Sequence, residues 1–181
     1  MRKLIFVSLF LVLFGSFAAA QVPTAGNVFF GYSYYNSGLT SQRGGLNGWN
    51  GSLEGKVFPH IGIVADLSTN YGSLNFPIVC PVGSCPPASV STHVTNVMFG
   101  PRVSASFGKL RPFVEGMVGI GHVTTGGNGS DTSFASAIGG GVDYHLVRLL
   151  ALRFEADYVR TDLFHTTLGN VRFSTGLAFH F

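Results

Sequence analysis

Val171-Arg-Phe-Ser-Thr-Gly-Leu-Ala-Phe-His-Phe181 alternates without a break. Val171, Phe173, Thr175, Leu177, Phe179 and Phe181 fall on one side, and Arg172, Ser174, Gly176, Ala178 and His180 on the other. A period of two is the pattern of a β-strand whose two faces meet different surroundings. One face here is aliphatic and aromatic. The other is small or charged.

The same alternation recurs upstream. It marks strands near 26–36, 47–58, 61–71, 92–107, 112–123, 133–146, 150–161 and 169–181. The connections between them alternate in length. Pro59-His60, Gly108 to Arg111 and Leu146 to Leu149 are tight, whereas 37–46, 72–91, 124–132 and 162–168 are longer and rich in Gly, Ser, Thr, Asn and Pro. Eight strands with short turns at one end and long loops at the other predict an antiparallel up-and-down barrel. Strands of this length suffice to cross a bilayer at a tilt, which takes about 9–11 residues. Both chain ends then lie on the short-turn side, which is periplasmic in an outer-membrane barrel.

Composition agrees with a lipid-facing exterior. Only 10% of the residues are charged, and there are 25 Gly and 17 Phe among 181. Soluble domains carry about 25% charged residues. The basic pI of about 9.1 owes much to the first residues. Arg2 and Lys3, the apolar run Leu4 to Phe14 and Ala18-Ala19-Ala20 read as a signal peptide over 1–20, too short for a spanning helix. Setting aside Arg2 and Lys3 leaves 9 of the 11 basic residues against 8 acids, a net of +1 for 21–181. That balance gives no reason to expect a nucleic-acid partner.

Which face points inward follows from size. One set of alternating positions holds six of the eight acids, Glu54, Asp66, Glu115, Asp143, Glu155 and Asp157, with Lys56, Arg102, Arg153 and Arg172. Its other members are small, such as Gly31, Ser33, Ser52, Ser68, Gly100, Gly139, Gly141 and Ala178. The opposite set carries Phe30, Tyr32, Tyr34, Trp49, Phe99, Phe107, Phe134, Tyr144, Phe154, Tyr158, Phe173 and Phe179. An eight-stranded barrel is just wide enough for side chains to fill it, so twelve aromatics belong outside. A soluble ligand-binding barrel would show the reverse. The charges are expected to form a salt-bridge network that plugs the lumen, with a narrow ion pathway as the alternative.

The quoted residues resemble the outer-membrane protein β-barrel domain family, the small OmpA-like and OmpX-like barrels often grouped as porin family proteins. Carrying the resemblance are Gly48-Trp49-Asn50, Ile61-Gly-Ile-Val-Ala-Asp66, Phe99-Gly-Pro-Arg102, Arg111-Pro-Phe-Val-Glu115, Gly139-Gly-Gly-Val-Asp143, Ala151-Leu-Arg-Phe-Glu-Ala-Asp157 and the terminal Phe181, in that order. The resemblance implies insertion by the outer-membrane assembly machinery, with Phe181 as part of the signal it reads. It implies a lipopolysaccharide and lipid environment, and no shared catalytic residues or cofactor. A monomer is expected, without the peptidoglycan-binding domain that longer relatives add.

Cys80 and Cys85 are expected to pair as a disulfide in an exported chain, stapling the 72–91 loop. A zinc site would need further Cys or His ligands nearby. The histidines, His60, His93, His122, His145, His165 and His180, are scattered in sequence, which weighs against a three-ligand metal site. His165-Thr166-Thr167 is similar to the His-x-Ser of lipid A deacylases, but Thr167 stands at the nucleophile position. No catalytic activity is expected, and any extracellular ligand is expected to bind the long loops.

Overall fold

The computed structural model describes residues 25–37, 44–76, 88–126, 129–163 and 166–181. The expected signal peptide and the Cys80–Cys85 pair lie outside these residues. Eight strands follow one another: β1 (Gly26–Ser37), β2 (Gly44–Phe58), β3 (Ile61–Phe76), β4 (Ala88–Ser104), β5 (Leu110–Thr125), β6 (Gly129–Val147), β7 (Leu150–Leu163) and β8 (Thr166–His180). Each pairs antiparallel with its sequence neighbours, and β1 pairs with β8 to close the barrel. Closure removes the free edges that an open sheet would expose. Phe181 completes the seam, since its backbone exchanges two hydrogen bonds with Gly26, at 2.9 and 3.1 Å.

The tight turns sit as expected, with one difference. β4 stops at Ser104, and the chain re-pairs only at Phe107 with Leu110 across a two-residue turn. Gly108 in that turn has φ of 62°, in the left-handed region that glycine enters without steric cost. Register shifts at Lys56/Phe58 and His145/Val147 lie near this same end.

The long-loop end differs more. Residues 73–76 and 88–91, expected in a loop, form four further pairs of the β3–β4 ladder. Residues 44–46 and 129–132 likewise belong to β2 and β6. Apolar alternation fades where both faces of a strand meet water, but backbone pairing does not depend on that contrast. The amphipathic pattern therefore ends before the strand does.

Facing follows the expected parity. All twelve aromatics assigned to the outer set are exposed. They belong to continuous apolar rows, such as Leu67, Val97, Ile120 and Phe134 on four adjacent strands. The interior is less uniformly polar than the sequence predicts. Phe29, Tyr35 and Phe113 point inward and are buried, with Leu46, Val94, Met98, Met117 and Val159. Tyr35, Leu46, Val94 and Val159 form part of an apolar cluster on the long-loop side of the charged layer.

Candidate functional site in the barrel lumen

The charges gather in the middle and lower part of the lumen, toward the tight turns. Inward positions of β4, β7 and β8 place Arg102, Arg153 and Arg172, each at most 1% exposed. Burying a charge unpaired is very costly, and each of these is paired. Arg102 donates through Nε to Glu115 Oε2 at 2.6 Å and reaches Glu155 at 3.3 Å and Glu54 at 3.4 Å. Arg172 meets Asp66 at 2.6 Å, Asp157 at 2.7 Å and Glu155 at 3.5 Å. Arg153 makes a two-point contact with Asp143, 2.6 and 2.8 Å, and donates to Asn27 at 3.0 Å. Planar guanidinium forks suit such multi-point contacts better than a lysine ammonium would.

Lys56 stands at the lower rim, half-buried, 3.9 Å from Glu54 and 2.9 Å from Ser104 Oγ. The structure thus brings together all ten charged residues singled out from the sequence. It adds an eleventh. Arg111 is buried, donates to Ser104 and lies 3.4 Å from Glu54. The sequence reading left it in a turn, although it shares the parity of Glu115. A fifth strand begun one residue before 112 places Arg111 on the inward set.

Two glycines shape the centre. Gly139 lies between Glu115 and Asp157 in register, and Gly141 between Phe113 and Glu155. A Cβ on Gly139 would overlap Asp157 Oδ1, and one on Gly141 would overlap the Phe154 carbonyl oxygen and sit 2.8 Å from Phe113 Cζ. With no side chain on this stretch of β6, carboxylates from β5 and β7 converge. Oxygens of Glu115, Glu155 and Asp157 approach within 4.8 Å of one another. Arg102 and Arg172 already bridge these three acids, so guanidinium groups supply the positive charge there. Phe113 fills the space below, its ring 4.3 Å from the Arg102 guanidinium carbon and 4.7 Å from that of Arg153. A buried guanidinium over an aromatic face is favoured by roughly 2 kcal/mol. The sequence reading missed this ring because it counted aromatics only on the outer set.

Above the charges, toward the long loops, the lumen carries Asn50, Ser68, Asn70 and Asn96, all buried. Asn50 donates to Asp66 at 2.7 Å, and Asn70 to the Ser33 carbonyl at 3.1 Å. Both polar atoms of Asn96 and the Ser68 hydroxyl have no partner among the described residues.

The other histidines take different places. His93 and His122 face outward. His93 stacks on Tyr71 at 4.3 Å, and His122 contacts Thr132 at 2.6 Å. His60 lies in a tight turn, and His165 is outside the described residues.

Comparison with known proteins agrees with this geometry. The outer membrane protein beta-barrel domain family matches residues 6–181. No curated protein matches the chain. Among solved structures, the chain is similar to Neisserial surface protein A, at 10% identity, covering 87% of this chain and 96% of that one, with a TM-score of 0.63. It is similar to Ail, the attachment invasion locus protein of Yersinia pestis, at 15% identity, covering 86% and 98%, with a TM-score of 0.57. It is also similar to the outer membrane protein OprG of Pseudomonas aeruginosa, at 10% identity, covering 88% and 97%, with a TM-score of 0.55. At such identities the likeness is one of fold, and the family match supplies the rest. The chain belongs to the outer membrane protein β-barrel domain family and resides in the bacterial outer membrane.

Proposed function

We propose that this barrel is a non-catalytic surface protein whose lumen is closed by its charge network and whose interactions take place at the long-loop end. The observation that carries the reading is the span of the network. Arg172 on β8 reaches Asp66 on β3, and Arg102 on β4 reaches Glu155 on β7. Side chains from opposite walls therefore meet in the middle, where a channel would need open space. The tight-turn end, with both chain ends, faces the periplasm, and the long loops face outward.

Two features support an interaction role for the loops. The β3–β4 hairpin pairs from Tyr71↔His93 out to Phe76↔Ala88, while the β2–β3 ladder stops at Asn47↔Tyr71. This hairpin extends past its β2 neighbour and presents the segment holding Cys80 and Cys85. We assign those two cysteines to a disulfide that staples the tip. Ail has been crystallised with the heparin analogue sucrose octasulfate, which makes a surface ligand a natural expectation for a barrel of this shape. The closed sheet offers no edge for strand pairing with a second copy, so the protein acts as a monomer in lipid and lipopolysaccharide. Phe181 serves the assembly machinery as the terminal aromatic.

A narrow channel is the second reading. It is favoured by the unpartnered polar atoms of Asn96, Ser68 and Asn50 above the network, which call for water in the upper lumen. Planar-bilayer recording of the refolded protein separates the two readings. A closed lumen predicts no discrete conductance from protein whose gel band shifts on heating. Reproducible steps altered by Glu115→Ala would replace the closed lumen with a pore.

A further inference from the structure

We propose that His145 and His180 form a transition-metal site at the tight-turn mouth of the barrel. The two residues stand 35 positions apart in sequence, and the fold brings them together across β7. His145 pairs in register with Ala151, and Ala151 with Ala178, two residues before His180. Ala151 is buried and small, so nothing on β7 separates the imidazoles. Their ring centroids lie 4.8 Å apart with the planes inclined by 39°.

His145 Nδ1 and His180 Nδ1 are shielded from solvent and make no hydrogen bond among the described residues. Buried polar atoms in such a position normally find a partner, whether a protein group, a water or an ion. The backbones are held from outside the pair. The His145 amide donates to the Lys109 carbonyl, and the His180 amide to the Leu149 carbonyl, both at 2.8 Å.

A carboxylate stands behind one ring. Asp143 Oδ2 lies 3.4 Å from His180 Nε2, and Arg153 fixes that carboxylate through two hydrogen bonds. A carboxylate on one ring nitrogen orients an imidazole and strengthens the other nitrogen as a donor. His180 Nδ1 and His145 Nδ1 are then the two ligands, and water completes the coordination. Paired imidazoles suit Zn²⁺, Cu²⁺ and Ni²⁺, and do not suit Ca²⁺ or Mg²⁺, which take oxygen ligands. The site lies at the tight-turn end of the barrel, with the His180 side chain 11% exposed, so a metal reaching it needs no path through the lumen.

The test uses tag-free 21–181 refolded in a zwitterionic detergent. Zn²⁺ titration by calorimetry is expected to show one ion per chain. His145→Ala and His180→Ala should each weaken binding by at least about 10-fold. The combined variant His60→Ala, His93→Ala and His122→Ala should bind as the parent does. Cu²⁺ electron paramagnetic resonance should report two nitrogen ligands in the parent and one in His145→Ala. Saturating Zn²⁺ should raise the temperature of the heat-shifted gel band in the parent and leave it unmoved in His145→Ala. His145→Ala leaves the terminal strand intact, so a folding defect at His180 does not decide the matter. Parent-like affinity and copper spectrum in His145→Ala would overturn the proposal. So would Zn²⁺ binding no tighter than about 1 mM in the parent.

Discussion

Arg102 is the place to test whether the interior charges act as a structural brace. Arg102→Met keeps the unbranched apolar stem and removes the guanidinium with its charge. Glu54 would retain Arg111 and Lys56, and Glu155 would retain Arg172. Glu115 would be left alone. Among the described residues its Oε2 bonds only Arg102 and its Oε1 bonds nothing. Orphaning one buried charge costs about 3–5 kcal/mol. For a slope of about 2 kcal/mol per molar in urea, a loss of about 4 kcal/mol lowers the unfolding midpoint by about 2 M. The assay is equilibrium urea unfolding in detergent, followed by the heat-shifted gel band. The reasoning also predicts which second substitution rescues. Glu115→Gln on the Arg102→Met background should return about 1.5–3 kcal/mol as a coupling energy. Glu54→Gln should return little, because Glu54 keeps other cations. A midpoint change corresponding to less than about 1 kcal/mol, or equal rescue by both substitutions, would refute the argument.

Gly139→Ala should cost about 1–3 kcal/mol through overpacking against Asp157, whereas Gly116→Ala, facing outward with nothing within 4 Å, should stay within about 0.5 kcal/mol; the same urea assay reads both. Val118→Arg places a charge on the outward row of Phe99 and Ala65 and should cost about 2–4 kcal/mol, while Thr124→Arg, three outward rows nearer the long loops, should cost about 0–1 kcal/mol, as refolding into liposomes would measure. Phe181→Ala keeps the backbone bonds to Gly26 and removes an exposed ring. Purified protein should still give a heat-shifted band, and the amount inserted in living cells should fall.

The sequence carried the strand count, the facing and the charged layer for one physical reason. A barrel in lipid sets two very different surroundings on the two sides of a single sheet, so alternation survives along almost every strand. Phe30 and Phe99 had to be outside because there was no room for them within. What the sequence hid depends on registers between strands. That Gly139 and Gly141 allow Glu115, Glu155 and Asp157 to converge is a property of three aligned strands, invisible in any one of them. Phe113 obeys the parity of the interior, but its aromatic character pointed the other way, and only the guanidinium groups beside it explain its place. Arg111 fell just outside a strand whose start was set too late. That the rings of His145 and His180 touch depends on two registers across β7, which no single strand shows.

The layout of the ion pairs bears on whether the lumen could act as a gate. A gate needs an element with two discrete arrangements of similar free energy. A lone Arg–Glu pair could supply that by exchanging one partner for another. Here Arg102 and Arg172 share Glu155, and each also holds acids that belong to other strands. Moving Arg172 would release Asp66, Asp157 and part of Glu155 at once. Among the described residues Arg102 is the other cation paired with Glu155, and it is already committed to Glu115 and Glu54. Opening the centre therefore strands several buried carboxylates together, each at a cost of a few kcal/mol. Lys56 is different. It stands at the rim, partly exposed, with a long contact to Glu54, so it can swing away at little cost while the brace above it stays shut. Mobility at the mouth is thus compatible with the closed centre proposed above, and Lys56→Met should leave the urea midpoint essentially unchanged and produce no conductance. A channel appearing in Lys56→Met would place the barrier at the rim and would remove the argument for a central brace.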